Sequence, residues 1–142
     1  MSAEENKAIA RHYIEELDRR KGAVGEDLLA PTYRHYLPGS AGALDRAADQ
    51  QFHMMFYAAF PDLQATIEDM IAEGDQVVTR AAWRGTHQGA FQGIPPTGKP
   101  VTLTGIQILR IVDGKIVEHR SESDSLGMMQ QLGAIPAPGQ PA

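Results

Sequence analysis

An α+β fold is predicted by three features of this 142-residue chain. The N-terminal part carries capped, amphipathic helical segments. After residue 62 the apolar period changes from helical to alternating. Gly74-Asp75 and Asp113-Gly114 then join long alternating runs in the manner of hairpin turns. Helices followed by an antiparallel meander pack on one sheet face, around which the sheet curls to leave a pocket.

The elements follow in order. Ser2 and Glu5 have the S-x-x-E form of a capping box, and Ile9, Tyr13 and Leu17, with Ala10 and Ile14, recur at helical spacing. Arg19, Arg20 and Lys21 suit a helix C-terminus and Gly22 stops it, which predicts a first helix over 3–21. A short second helix is predicted over 24–30, ending before Pro31. TYRHYL, residues 32–37, reads as a short extended segment closed by Pro38-Gly39. A third helix is predicted over 44–60, capped by Asp45, striped with Phe52, Phe56, Ala59 and Phe60, and ended by Pro61-Asp62. Strands are predicted at 63–73, 75–87, 99–112 and 115–123, with a Gly- and Pro-rich loop over 89–100. A last helical turn is predicted over 125–132. One domain over 1–133 and a flexible Pro-rich tail over 134–142 complete the organisation.

Strand alternation sorts the side chains onto faces. Trp83 and His87 share a face opposite Arg80 and Arg84, and so point toward the helices. Gln107 alternates with Leu103, Leu109 and Ile111, while Ile106 and Ile108 lie on the other face with Thr102, Thr104 and Arg110. An outer face bearing two isoleucines suggests a subunit contact, hence a homodimer through the outer sheet face. In the last strand Glu118, Arg120 and Asp124 fall on one face, and His119, Ser121 and Ser123 on the other. Periodicity does not orient these two sets, and a bulge would exchange them.

Composition narrows the function. A net charge of −5 disfavours nucleic acid, whose phosphates it would repel. No basic amphipathic run suggests membrane attachment, and no apolar stretch approaches the ~20 residues a spanning helix needs. The acidic N-terminus lacks the form of a signal peptide, so a cytoplasmic protein is expected. The absence of cysteine removes thiol nucleophiles and thiolate metal sites. The five histidines form no H-x-H or H-E-x-x-H, so no metal is expected.

The segments A-F-P-D (59–62), G-T-H-x-G (85–89), I-P-P-T-G-K (94–99), D-G-K-I-V-E-H (113–119) and Q-L-G (131–133) resemble the SnoaL-like polyketide cyclases, or ester cyclases, of the nuclear-transport-factor-2-like superfamily. The likeness runs from about residue 50 to 133, with compatible helices before it. It implies a cone-shaped curved antiparallel sheet closed by three N-terminal helices, a deep pocket, and no metal or cofactor. It also implies an acidic general acid/base late in the last strand, at the position of Asp124. That choice turns Glu118, Arg120 and Asp124 inward. The family usually has tryptophan where this chain has Arg120, a guanidinium suited to an anionic ligand or a developing enolate.

The expected ligand is therefore a small hydrophobic carbonyl compound, and the expected chemistry is an aldol-type cyclisation or an isomerisation. Asp124, His87 and Arg120 are the candidate catalytic residues. Trp83, Gln107, His53 and Tyr57 are the candidate binding residues, the last two lying four apart on one helix face. Asp124 also suits the N-cap of the final helical turn. His87 also suits a hydrogen-bonded strand end, and His53 and Tyr57 suit helix packing. With Arg120 in the pocket, a non-catalytic protein that binds an aromatic or fatty carboxylate is the alternative.

Overall fold

Ser2 starts the first helix as its sequence requires. Its Oγ accepts from the Glu5 N–H at 3.1 Å, and its own N–H donates to Glu5 Oε1 at 3.0 Å. In the computed structural model, which describes residues 2–39 and 42–139, this helix is α1, Ala3–Arg19, burying Ala10, Tyr13, Ile14 and Leu17. After it come β1 (Leu29–Tyr36), β2 (Ala43–Leu44), α2 (Arg46–Ala59), β3 (Gln64–Glu73), β4 (Gln76–Thr86), β5 (Pro100–Val112), β6 (Lys115–Ser123) and α3 (Ser125–Leu132). Asp45 caps α2 by accepting from the Ala48 N–H at 2.9 Å.

The fold is α+β: three helices against an open six-stranded sheet in the order β2-β1-β6-β5-β4-β3. Two details of the expectation change. Residues 24–28 form no helix; the third helix is C-terminal, α3. Leu28 instead accepts the Ile116 N–H at 2.9 Å, and Leu29 begins a strand parallel to β6. The sheet is therefore mixed. Pro31, which has no N–H to give, falls where the β1–β6 pairing is interrupted between Leu29 and Arg34.

Two irregularities shape the sheet. In β3 the register slips between Ile67 and Asp69, leaving Glu68 as an extra residue. In β6 Arg110 pairs with Glu118 but Ile111 pairs with Ile116, so Val117 is extra. This second bulge lets Ile116 and His119, three apart, both face the core, where they are 0% and 2% exposed. From there the alternation sends His119 and Ser121 inward and Glu118 and Arg120 outward, reversing the orientation drawn from the resemblance.

The core gathers Tyr13, Leu29, Tyr33, Phe60, Phe91, Leu109 and Ile116 between sheet and helices. Gly89 lies where the 88–98 loop crosses the end of α2. A Cβ there would stand 2.4 Å from the Ala58 carbonyl oxygen, so the chain passes only as glycine. Among the described residues no helix is long and apolar enough to cross a membrane. Residues 140–142 of the expected tail lie outside the described residues.

Asp18 ties three elements together. Its Oδ1 accepts from the Tyr57 hydroxyl of α2 at 2.6 Å, and its Oδ2 accepts from the Ala65 N–H of β3 at 2.8 Å. Charge-assisted bonds of this kind contribute more than neutral ones. Asp18→Ala is expected to lower unfolding free energy by about 2 kcal/mol, read from urea denaturation followed by circular dichroism.

Candidate active site

Asp49 lies one turn before His53 on α2 and is only 1% exposed. Such a charge persists in a core only with partners. His35 donates from Nδ1 to Asp49 Oδ1 at 2.6 Å, and Tyr33 donates its hydroxyl to Oδ2 at 2.8 Å. His53 adds its Nδ1 at 3.4 Å from Oδ2. Tyr33 and His35 reach the same carboxylate because residues two apart on β1 share a face. Burial pushes the Asp49 carboxyl up, but the bonds from His35 and His53 outweigh it and hold the group well below the usual carboxylate range. Asp49 is thus ionised and accepts only, which fixes the His35 proton on Nδ1. Its Nε2 lies 2.8 Å from the Ser121 hydroxyl oxygen.

His119, on β6, pairs with His35 of β1, and the rings stack with centroids 3.7 Å apart and planes 5° from parallel. The Tyr33 proton is given to Asp49, so His119 Nδ1 donates to the Tyr33 oxygen at 3.1 Å. Burial holds the His119 pKa well below the ordinary histidine value; His35 pushes the same way and Asp49 opposes. The ring is neutral, with Nε2 buried and without a hydrogen-bond partner. Gln107 Nε2 is equally buried and unpartnered.

These groups open onto a cavity of about 120 Å³ between α2, α3 and the sheet. Phe52, Phe56, Trp83, Leu103 and Met128 form apolar walls. His35, His53, Gln107, His119 and Ser121 are the polar residues that line it beside these walls. An apolar cavity with a few convergent polar groups is the usual form of a small-molecule site.

The residues singled out from sequence separate into two groups. Trp83, Gln107, His53 and Tyr57 all line the cavity. Tyr57 presents its ring, because its hydroxyl is bound to Asp18. His87, Arg120 and Asp124 do not line it. His87 is fully buried beside the 88–98 loop, its Nδ1 accepting the Thr97 N–H at 3.1 Å and lying 2.9 Å from Thr97 Oγ1. Arg120 lies on the outer face over the Tyr36 ring at 4.1 Å, with Glu118 Oε1 3.3 Å away. Asp124 is exposed and caps α3, accepting the Gly127 N–H at 2.9 Å. The expectation that Arg120 and Asp124 enter one cavity is thereby corrected, the Val117 bulge and the helix cap being the reasons.

Sequence reasoning passed over Tyr33, His35, Asp49, His119 and Ser121. The one local signal was Asp49-x-x-x-His53, an acid and a histidine four apart on a helix. His35, Asp49 and His53 also each present one ligand-type atom within 4.8 Å of the others, a grouping across β1 and α2 that local spacing does not show.

Comparison with known proteins bears on this site. The family model described as SnoaL-like polyketide cyclase matches residues 7–132. The aklanonic acid methyl ester cyclase DnrD of Streptomyces peucetius is 40% identical over 72 residues, 49% of this chain and 50% of that protein. The nogalonic acid methyl ester cyclase of Streptomyces nogalater is 36% identical over 72 residues, 49% of this chain and 54% of that protein. The chain therefore spans about half the length of the curated relatives it matches. Among solved structures, AclR of Streptomyces galilaeus, a candidate hydroxylase, superposes with a TM-score of 0.87 at 31% identity, covering 96% of this chain and 85% of that one. IdmH of Streptomyces antibioticus, a candidate polyketide cyclase, gives 0.80 at 35% identity, covering 90% and 98%.

A histidine held neutral by burial leaves a signature in stability. The unfolded chain takes up a proton at His119 below about pH 6.5, and the folded chain does not. The unfolded state then binds more protons, so stability falls as pH drops from 7 to 5, by on the order of 1 kcal/mol per pH unit. Denaturant titrations across this range should show that slope, and His119→Gln should flatten it. Equal slopes in the two proteins would contradict the neutral assignment.

Proposed function

Because the chain belongs to the SnoaL-like polyketide cyclase family, we propose that its cavity binds a small hydrophobic carbonyl compound, a polyketide ester, and closes a ring in it by acid/base chemistry. One observation carries this reading: an ionised, buried Asp49 stands behind histidines that face an apolar cavity. The methyl ester cyclases among the relatives support the substrate class.

In this reading His53 is the general base. Its Nδ1 is turned to Asp49, which leaves Nε2 to take a proton from the carbon α to a carbonyl. Asp49 stabilises the imidazolium so formed, as the carboxylate of a triad does. Gln107 Nε2 donates to the enolate oxygen. The α-carbon adds to a second carbonyl of the same molecule, and the new alkoxide takes its proton back from His53. No atom is gained or lost overall. Trp83, Phe56 and the Tyr57 ring hold the substrate folded and keep water from the enolate. The base is thus placed on α2 rather than at Asp124. The carboxylate-binding alternative loses its support, since Arg120 is on the outer face.

We propose the outer face as the contact with a second copy. The register aligns Ile71, Val78 and Ile108 there, and Ile71 and Ile106 are 66% and 47% exposed.

With a β-keto methyl ester in D2O, NMR should show enzyme-dependent α-proton exchange. Asp49→Asn and His53→Gln should each slow it by about 100-fold or more. His53→Gln leaves the His35 and Tyr33 bonds to Asp49 in place, so unchanged exchange in that folded variant would reject His53 as base. Ile106→Glu should shift the protein from dimer to monomer in sedimentation velocity; a monomeric parent protein would reject the outer-face contact.

A further inference from the structure

We propose that Ser121 is a nucleophile, and that Ser121, His35 and Asp49 form an acyl-transfer triad that hydrolyses esters of hydrophobic acids in the same cavity. Three side chains from three elements meet in the required order. Ser121 Oγ on β6 lies 2.8 Å from His35 Nε2 on β1, and His35 Nδ1 lies 2.6 Å from Asp49 Oδ1 on α2. A hydroxyl bound to a histidine that a carboxylate in turn orients is the arrangement that activates serine in unrelated folds.

The donor and acceptor geometry suits this chemistry. Asp49 accepts only, so His35 carries a proton on Nδ1, and when the ring acts as base its Nε2 lone pair faces the Ser121 hydroxyl. Stacking on His119 at 3.7 Å fixes the plane of the His35 ring. Tyr33 holds the second carboxylate oxygen, which keeps Asp49 from turning. Ser121 lines the cavity, so an ester bound there meets the hydroxyl directly.

A donor for the developing oxyanion stands beside it. Gln107 is the cross-strand partner of Ser121, and its Nε2 is buried without a hydrogen-bond partner. Buried amide donors are rarely left so. An oxyanion formed next to Ser121 would satisfy it.

Each step balances. Ser121 Oγ bonds to the ester carbonyl carbon as its proton passes to His35 Nε2. The carbon–alkoxy bond then breaks, and the alcohol leaves with that proton. Water attacks the acyl-serine, gives a proton to His35, and releases the acid as Ser121 recovers its own. Asp49 stays ionised throughout. Acylation takes no proton from the α-carbon, so it is independent of the ring closure proposed above.

That independence sets the test. p-Nitrophenyl benzoate is an ester with no α-proton. The protein should release p-nitrophenolate in a burst and gain a benzoyl group on the peptide containing Ser121, identified by mass spectrometry. A fluorophosphonate should label the same serine. Ser121→Ala should reduce burst and labelling by at least 100-fold. No burst and no label on folded protein, or label only at Ser123 or Ser125, would overturn the proposal. Benzoylation of Ser121 without α-proton exchange on the keto ester would support this triad and sink the ring-closure reading alone.

Discussion

Asp49 imposes one requirement that organises much of the interior: a carboxylate at 1% exposure must be surrounded by donors. Tyr33 and His35 come from the strand facing α2, and His53 from the next turn of α2 itself. His119 is held at one remove through Tyr33, and Ser121 through His35. Removing the carboxylate would leave several buried polar groups without a common partner. The charge therefore links the packing of α2 on the sheet to whatever chemistry the cavity performs.

The second constraint is the extra residue in β6. If the same sequence paired without the bulge at Val117, strict alternation from a core-facing Ile116 would put His119 on the outside and Arg120 over the cavity. With it, one strand can seal the core at Ile116 and still deliver His119 and Ser121 to the cavity. A single bulge in the pairing thus decides that the polar lining is imidazole and hydroxyl rather than guanidinium and carboxylate.

These two features mark what could be read in advance. The three helices that form, within about two residues at each end, the hairpins and the inward faces of β4 and β5 follow from local periodicity and caps, and so were legible. The helix expected over 24–30 was a misreading of a turn that leads into β1. Trp83 and Gln107 came with them. The parallel β1–β6 pairing was not legible, because it joins segments some 80 residues apart with no turn between them to announce it. Without that pairing His35 and His119 are two scattered histidines. The bulge at Val117 has no glycine or proline to signal it. Asp124 satisfied both a helix cap and a catalytic expectation, and sequence alone carried no means of separating them.

The outermost strand β3 carries a last consequence. An uncovered strand offers free N–H and C=O groups to any extended chain that approaches. Here the register slip at Glu68 breaks the regularity of that edge, and Glu68, Asp69 and Glu73 place negative charge along it. The opposite border is the two-residue β2, too short to template an addition. Sheet growth from molecule to molecule is thereby discouraged at both margins.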